Sequence, residues 1–178
     1  MPEKGKQMPD TGINRKARVN YGGVHVSCMP EEGIRAPDFN ARGDDGRQYT
    51  LSDFRGKKII LYFYPRDDTP GCTTEACGFR DSMPDIAGRN TVILGVSRDS
   101  TDSHKKFKSK YGLNFLLLSD ENSEMCRKYD VLVEKNMYGK KSIGIRRSTF
   151  IIDENGIITK IFTEVKPDGH AAEIMRLI

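Results

Sequence analysis

The chain has 178 residues, 37% apolar and 30% charged, with a net charge of +4; that is enough for one domain with its own core and too short for two ordinary ones. The composition excludes a collagen-like or disordered chain, and the longest apolar runs, Ile59 to Tyr64 and Thr91 to Val96, are strand-length and fall short of the roughly 18 residues of a membrane span. The charge is no nucleic-acid footprint, because most of the excess lies in residues 1 to 28, where Lys4, Lys6, Arg15, Lys16 and Arg18 face only Glu3 and Asp10, and the remainder is close to neutral.

Residues 1–33 are polar, rich in Lys, Arg, Gly and Pro, and show no sustained period of 2 or 3.6, which predicts a flexible N-terminal extension. Within it, Gly23 to Val26 alternates weakly and is a candidate edge strand, Cys28 is expected to be an exposed thiol, and Met29 is a candidate true start. A single domain is expected over 34–178. It begins with Phe39 to Arg42, a turn at Asp44-Asp45-Gly46 and Gln48 to Leu51, a β-hairpin by its alternation and turn residues. Lys57 to Tyr64 is a buried-type strand ended by Pro65, and a loop leads into a helix from about Gly71 to Met83. Thr91 to Ser97 is a β-branched strand, followed by an amphipathic helix from Ser100 to Tyr111 closed by Gly112.

Phe115 to Leu118 reads as a strand and Ser123 to Tyr129 as a short helix opened by acidic residues. Val131 to Arg146 is less regular. Ser148 to Ile152, a turn at Asp153 to Gly156, and Ile157 to Thr163 form a second hairpin, and a last helix starts near Asp168. This order implies an α/β fold: a thioredoxin-like, central mixed sheet with helices on both faces and an N-terminal β-hairpin.

Four cysteines are too few for a disulfide scaffold, and no apolar signal-peptide core follows the N-terminal charges, so a cytoplasmic location is expected. There, closely spaced cysteines lean toward redox or metal chemistry. Zinc needs four ligands at suitable spacing, and His104 and His170 lack the pattern. Cys126 falls on the inward stripe of its helix with Met125 and Tyr129 and is expected in the core, as are Phe79 and Met83, while Lys105 and Lys106 belong to a solvated face.

The informative stretch runs from Tyr62 to Cys77. Thr69 is a suitable N-cap and Pro70 a suitable first helical residue, which puts Cys72 in the first turn. A thiol there meets unpaired amides and the positive helix end, placements that pull cysteine from about 8.5 toward roughly 4 to 7. Glu75 opposes this by like charge, so a cation is expected nearby. Arg147 is the candidate, and strand alternation lets only one of Arg146 and Arg147 face the site. Five residues along a helix separate Cys72 and Cys77 by about 7.5 Å of rise and about 140° of turn. Their Cα atoms would then lie roughly 8 to 9 Å apart, beyond the roughly 7 Å that a disulfide spans. A bond between them would require the helix to unwind.

The run Pro65, Thr69, Cys72 resembles the Pro-x-x-x-Thr-x-x-Cys signature of the peroxiredoxins. The fuller string from Thr69 to Asp81 resembles their bacterioferritin comigratory protein (PrxQ) branch, as do Ala36-Pro37-Asp38-Phe39, Arg147 to Asp153 and Gly169-His170-Ala171. The similarity runs from about residue 34 to the end. It implies that Cys72 is the peroxidatic thiolate and Cys77 the resolving thiol, that Thr69 and Arg147 hold the peroxide and stabilise developing charge, and that Pro65 shields the site. It further implies a hydroperoxide substrate, thioredoxin or a similar dithiol as reductant, no metal, haem or flavin, and a monomer. A thioredoxin-like disulfide reductase would use Cys-x-x-Cys, which the spacing of five opposes. A silent binding module on the same fold is opposed by the intact Thr69, Cys72 and Arg147.

Overall fold

The computed structural model describes residues 29–178; Cys28 and the Gly23 to Val26 fragment lie outside the described residues. Strands β1 (Asn40–Gly43) and β2 (Gln48–Thr50) form the expected hairpin. Then follow β3 (Lys58–Phe63), α1 (Pro70–Ala87), β4 (Thr91–Ser97), α2 (Thr101–Tyr111), β5 (Leu116–Ser119) and α3 (Glu124–Lys128). The chain closes with β6 (Leu132–Met137), β7 (Lys140–Ile145), β8 (Ser148–Ile152), β9 (Ile158–Thr163) and α4 (His170–Met175).

Seven strands make one mixed sheet in the order β2-β1-β5-β4-β3-β8-β9. β3, β4 and β5 are parallel neighbours, whereas β8 runs antiparallel to β3 and β9 antiparallel to β8. Period-2 alternation splits β3 between two cores. Ile59, Leu61 and Phe63 join Met125, Cys126, Tyr129 and Phe150 on the face that α3 covers. Ile60 and Tyr62, with Tyr64 just past the strand end, join Phe79, Ile86, Phe107 and Ile174 on the face covered by α1, α2 and α4. Burial on both faces explains why β3 reads as a continuous apolar run. Among the described residues no helix is long and apolar enough to cross a membrane.

The helix ends follow local chemistry. The Ser100 hydroxyl accepts from the Ser103 amide at 3.2 Å. Gly112 adopts φ +60°, the left-handed geometry that lets the Leu113 amide reach back to the Lys108 carbonyl at 3.0 Å. Three expectations are corrected. Helix α1 runs four residues beyond Met83, straight through Pro84. Pro84 has no amide hydrogen for the Arg80 carbonyl, and that carbonyl accepts instead from Asn114 Nδ2 at 3.2 Å. Helix α3 is shorter than Ser123 to Tyr129, because Ser123 sits at φ +59° outside it. Its first amide, Glu124, donates to Asn122 Oδ1 at 3.1 Å, and the next two, Met125 and Cys126, donate to the Asp120 carboxylate at 3.0 and 2.8 Å. Lastly, the stretch from Val131 to Arg146 is no irregular loop: β6 and β7 pair over six registers as a separate hairpin, turning at Tyr138 and Gly139 with φ +53° and +76°, the left-handed pair of a type I′ turn.

Candidate active site

The site forms where β3 ends and α1 begins. Pairing of β3 with β8 sets Ser148 opposite Phe63, and this register brings Arg147, one residue earlier, against the start of α1, at Cys72 and Glu75. Thr69 has the extended backbone of an N-cap (φ −100°, ψ 154°) and Pro70 opens the helix, so Cys72 falls in the first turn as expected. The Thr69 side chain does not cap, however. Its hydroxyl donates to the Arg66 carbonyl at 3.0 Å and makes no cap bond, which ties the loop to itself and leaves the oxygen's lone pairs available.

Cys72 is 2% exposed. Arg147 Nη2 lies 3.2 Å from its Sγ, and Nη1 of the same guanidinium pairs with Glu75 Oε2. One cation thus faces both the sulfur and the carboxylate that the sequence sets in opposition. Strand alternation sends Arg146 elsewhere, to the Asp130 carbonyl at 2.8 Å. Gly71 leaves room for the approach of Arg147, because a Cβ there would stand 3.3 Å from Nη2 and 3.2 Å from the Pro167 ring, tighter than ordinary contact.

Glu75 has no exposed side-chain surface. Its Oε1 and the Tyr62 hydroxyl are buried without a hydrogen-bond partner. Burial pushes the Glu75 carboxyl up to about 7, and the attraction and hydrogen bond of Arg147 offset this only in part. Burial also works against the charge on Arg147, but Glu75 and Cys72 together hold its pKa above the ordinary value. Both ends of the pair are displaced upward for different reasons: the carboxylate loses more from leaving water than it gains from its partner, while the guanidinium is held up by its interactions with Glu75 and Cys72.

Cys77 is half-buried on the same helix, and Cys72, Cys77 and Cys126 are all free thiols. Because α1 is continuous through both positions, ideal helix geometry keeps their Cα atoms roughly 8 to 9 Å apart, out of disulfide range. Cys126 is fully buried, and desolvation raises its pKa well beyond that of a free thiol, which leaves it inert. Pro65 is half-buried and lines an open cleft with Arg66, Arg98, Asp99 and Glu121. A second hollow, of about 200 Å³, is lined by Ala36, Leu51 and Ile59 from the core on the other face of the sheet and takes no part in this site. Among the described residues no group of three or more His, Cys, Asp and Glu side chains is placed to hold a metal.

The structure therefore brings Arg147 against both the Cys72 sulfur and the Glu75 carboxylate, with Thr69 and Pro65 in the loop that leads into α1 and Cys77 further along the helix. One buried feature had no sequence signal: Asp67, in the loop, reaches His104 on α2 at 2.8 Å. The two are 37 residues apart and neither carries a motif.

Comparison with known proteins bears on the family and the fold. The AhpC/TSA family profile matches residues 33–161. Peroxiredoxin Bcp of Bacillus subtilis is 49% identical over 148 residues, which span 83% of this chain and 94% of that protein. A solved structure of the Xanthomonas campestris bacterioferritin comigratory protein is 42% identical with a TM-score of 0.75, covering 78% of this chain and 88% of that one. A mutant of Xylella fastidiosa PrxQ is 37% identical with a TM-score of 0.79, covering 87% and 96%. The chain belongs to the AhpC/TSA family, as a thioredoxin-fold peroxiredoxin of the Bcp/PrxQ kind, and is a thiol peroxidase.

Proposed function

We propose that Cys72 is the peroxidatic residue, Cys77 its resolving partner, and Thr69, Arg147 and Pro65 the groups that bind, polarise and shield the peroxide. The observation that carries this reading is the 3.2 Å contact of Arg147 with a buried first-turn sulfur, a charge-assisted contact that stabilises anionic sulfur. The Cys72 thiolate attacks one peroxide oxygen; the S–O bond forms, the O–O bond breaks, and the departing hydroxide or alkoxide takes up a proton to leave as water or alcohol. Arg147 faces the oxygen on which charge develops. The Thr69 hydroxyl, whose hydrogen already goes to Arg66, accepts from the peroxide O–H. The half-buried Pro65 limits the entry of water.

The resulting sulfenic acid at Cys72 condenses with the Cys77 thiol, forming the S–S bond and releasing water. The first turns of α1 open for this step. An external dithiol of the thioredoxin type then restores both thiols by exchange, becoming the disulfide itself. The substrates are hydrogen peroxide and organic hydroperoxides, with no metal or organic cofactor. The working location is the reducing cytoplasm, where such a cycle can be refuelled. Residues 34–178 act as a single monomeric catalytic domain, with 1–33 as an extension to it.

Peroxide consumption coupled to thioredoxin and its reductase tests this scheme. Cys72→Ser loses turnover entirely, while Cys77→Ser performs one turnover and stalls as a sulfenic acid that a dimedone-type probe traps. Full activity in Cys72→Ser would overturn the assignment. Mass mapping of the oxidised protein finds Cys72 joined to Cys77; a link from Cys72 to Cys126 would reassign the resolving role.

A further inference from the structure

The loop that carries Thr69 is gripped from the side by α2. Asp67, with 4% of its side chain exposed, accepts from the Tyr64 hydroxyl at 2.6 Å and from the Ser103 hydroxyl at 2.8 Å. Its amide donates to Asp99 Oδ2 at 2.9 Å, which the Ser97 hydroxyl also reaches at 2.6 Å. Against the same Asp67 carboxylate, at 2.8 Å, stands Nδ1 of His104, a side chain with no exposed surface. The opposite ring nitrogen, Nε2, lies 3.2 Å from the Leu118 carbonyl oxygen.

A neutral imidazole has one N–H and one lone pair. Here both nitrogens face oxygens: a backbone carbonyl that can only accept, and a carboxylate that already draws hydrogens from two hydroxyls. The Tyr64 oxygen, 3.5 Å from Nδ1, gives its hydrogen to Asp67 and so presents oxygen to the ring as well. The groups around the ring are Tyr64 from the end of β3, Asp67 from the loop, Asp99 beyond it from the connection between β4 and α2, and the Leu118 carbonyl from β5. Of these, Tyr64 and Asp67 turn oxygen toward Nδ1 and the Leu118 carbonyl toward Nε2, and each favours a hydrogen on the nitrogen it meets, while Asp99 touches the Asp67 amide and not the ring.

We propose that His104 is an imidazolium paired with the Asp67 carboxylate, and that this buried pair positions the peroxidatic loop, holding residues 65–69 and the start of α1 over Cys72 and resisting the opening that lets Cys77 in. His104 touches neither substrate nor sulfur; it acts through Asp67. Removing one member of a buried pair leaves the other uncompensated, so the loop is released when either is lost. The idea rests on Cys72 and Cys77 being the reacting pair, but its first test does not depend on that.

In the reduced protein near neutral pH, nitrogen NMR of labelled histidine shows both ring nitrogens of His104 protonated, with the signal assigned by its loss in His104→Gln. In Asp67→Asn the His104 ring reverts to a neutral tautomer. A neutral His104 in the parent, with the shared proton on Asp67, overturns the ion pair. In stopped-flow mixing with hydrogen peroxide, His104→Gln and Asp67→Asn slow oxidation of Cys72 by roughly ten- to a hundredfold, the range that loss of a hydrogen bond to a charged group supports, while the disulfide step that follows becomes faster. Equal slowing of both steps, or no change in either, overturns the positioning role. Ser103→Ala removes one donor from Asp67 and leaves both charges in place. It moves the two rates in the same opposite directions by about threefold to tenfold, and unchanged rates there overturn the role even where the other variants do not fold. If the parent itself fails to react with peroxide, the Cys72 reading falls and the protonation result still stands.

Discussion

Glu75 shows how one buried side chain couples chemistry to stability. Its carboxyl is raised in the fold to about 7 from an ordinary 4.5, so the folded state holds the proton more tightly than the unfolded chain does. The stability this confers is fully present below about pH 4.5 and is lost as pH rises from there through 7. A rise from 4.5 to about 7 on a side chain with no exposed surface corresponds to a cost on the order of 3 kcal/mol once Glu75 is ionised. Glu75→Gln is therefore expected to gain on the parent by about that amount between pH 5 and pH 8 in urea unfolding. An unchanged difference would mean that Arg147 keeps the carboxylate charged throughout. Arg147→Gln takes the cation from sulfur and carboxylate together, and the reaction of Cys72 with hydrogen peroxide should slow about a hundredfold in stopped-flow measurements, as for loss of one donor to developing charge. At this scale the sequence was informative where chemistry is local. The Thr69-Pro70 helix start placed Cys72, and the Cys72 to Glu75 spacing called for a cation. Which of two adjacent arginines answers was left to the register of β8 on β3, and the Asp67 to His104 contact has no local sign at all.

Helix α1 has a weak front and a firm back. Gly71, Thr73, Thr74 and Gly78 lie in its first two and a half turns, all poor helix formers, and the Thr74 hydroxyl bonds back to the Pro70 carbonyl at 3.0 Å. Phe79 and Ile86, fully buried, fix the remainder to the sheet and to α4. Opening can thus stop at Phe79. Gly78→Ala tests this division. The added methyl would meet the Ala171 Cβ at 3.4 Å, ordinary contact, and should stabilise the helix by about 1 kcal/mol. If residue 78 unwinds during the disulfide step, that step slows about fivefold while the reaction with peroxide is unchanged; an unaltered disulfide step would place the boundary of opening before residue 78. Other elements were legible to different degrees for physical reasons. Strands β3, β4 and β8 announce themselves because both faces are buried and apolar. The hairpin of β6 and β7 does not, since most of it is exposed and its Lys135, Lys140 and Lys141 mask any alternation. The expected end of α1 near Met83 falls short of the observed one, where Asn114, distant in sequence, satisfies the carbonyl that Pro84 leaves without a donor.

Across the whole molecule, the arrangement keeps a mobile reaction inside a rigid frame. The sheet core is built by β3, β4 and β8, whose cross-strand partners are buried on both faces, and none of these strands has to move for Cys77 to reach Cys72. Local opening with a free energy below that of global unfolding is the expected behaviour of a segment with few apolar anchors, and residues 70–78 contribute to the core only through Cys72 and Ala76. Hydrogen exchange of the reduced and disulfide forms should therefore differ sharply in one place. Amides from Cys72 to Gly78 lose protection on oxidation, because the bond between Cys72 and Cys77 is incompatible with helical spacing. Amides of Ile60, Leu61, Leu94 and Phe150 retain theirs, and those near Ile86 change little. Protection lost across the sheet would mean that oxidation loosens the whole domain. Protection retained between Cys72 and Gly78 would mean that the two sulfurs join without unwinding α1, and the five-residue spacing would then impose no conformational step on the cycle.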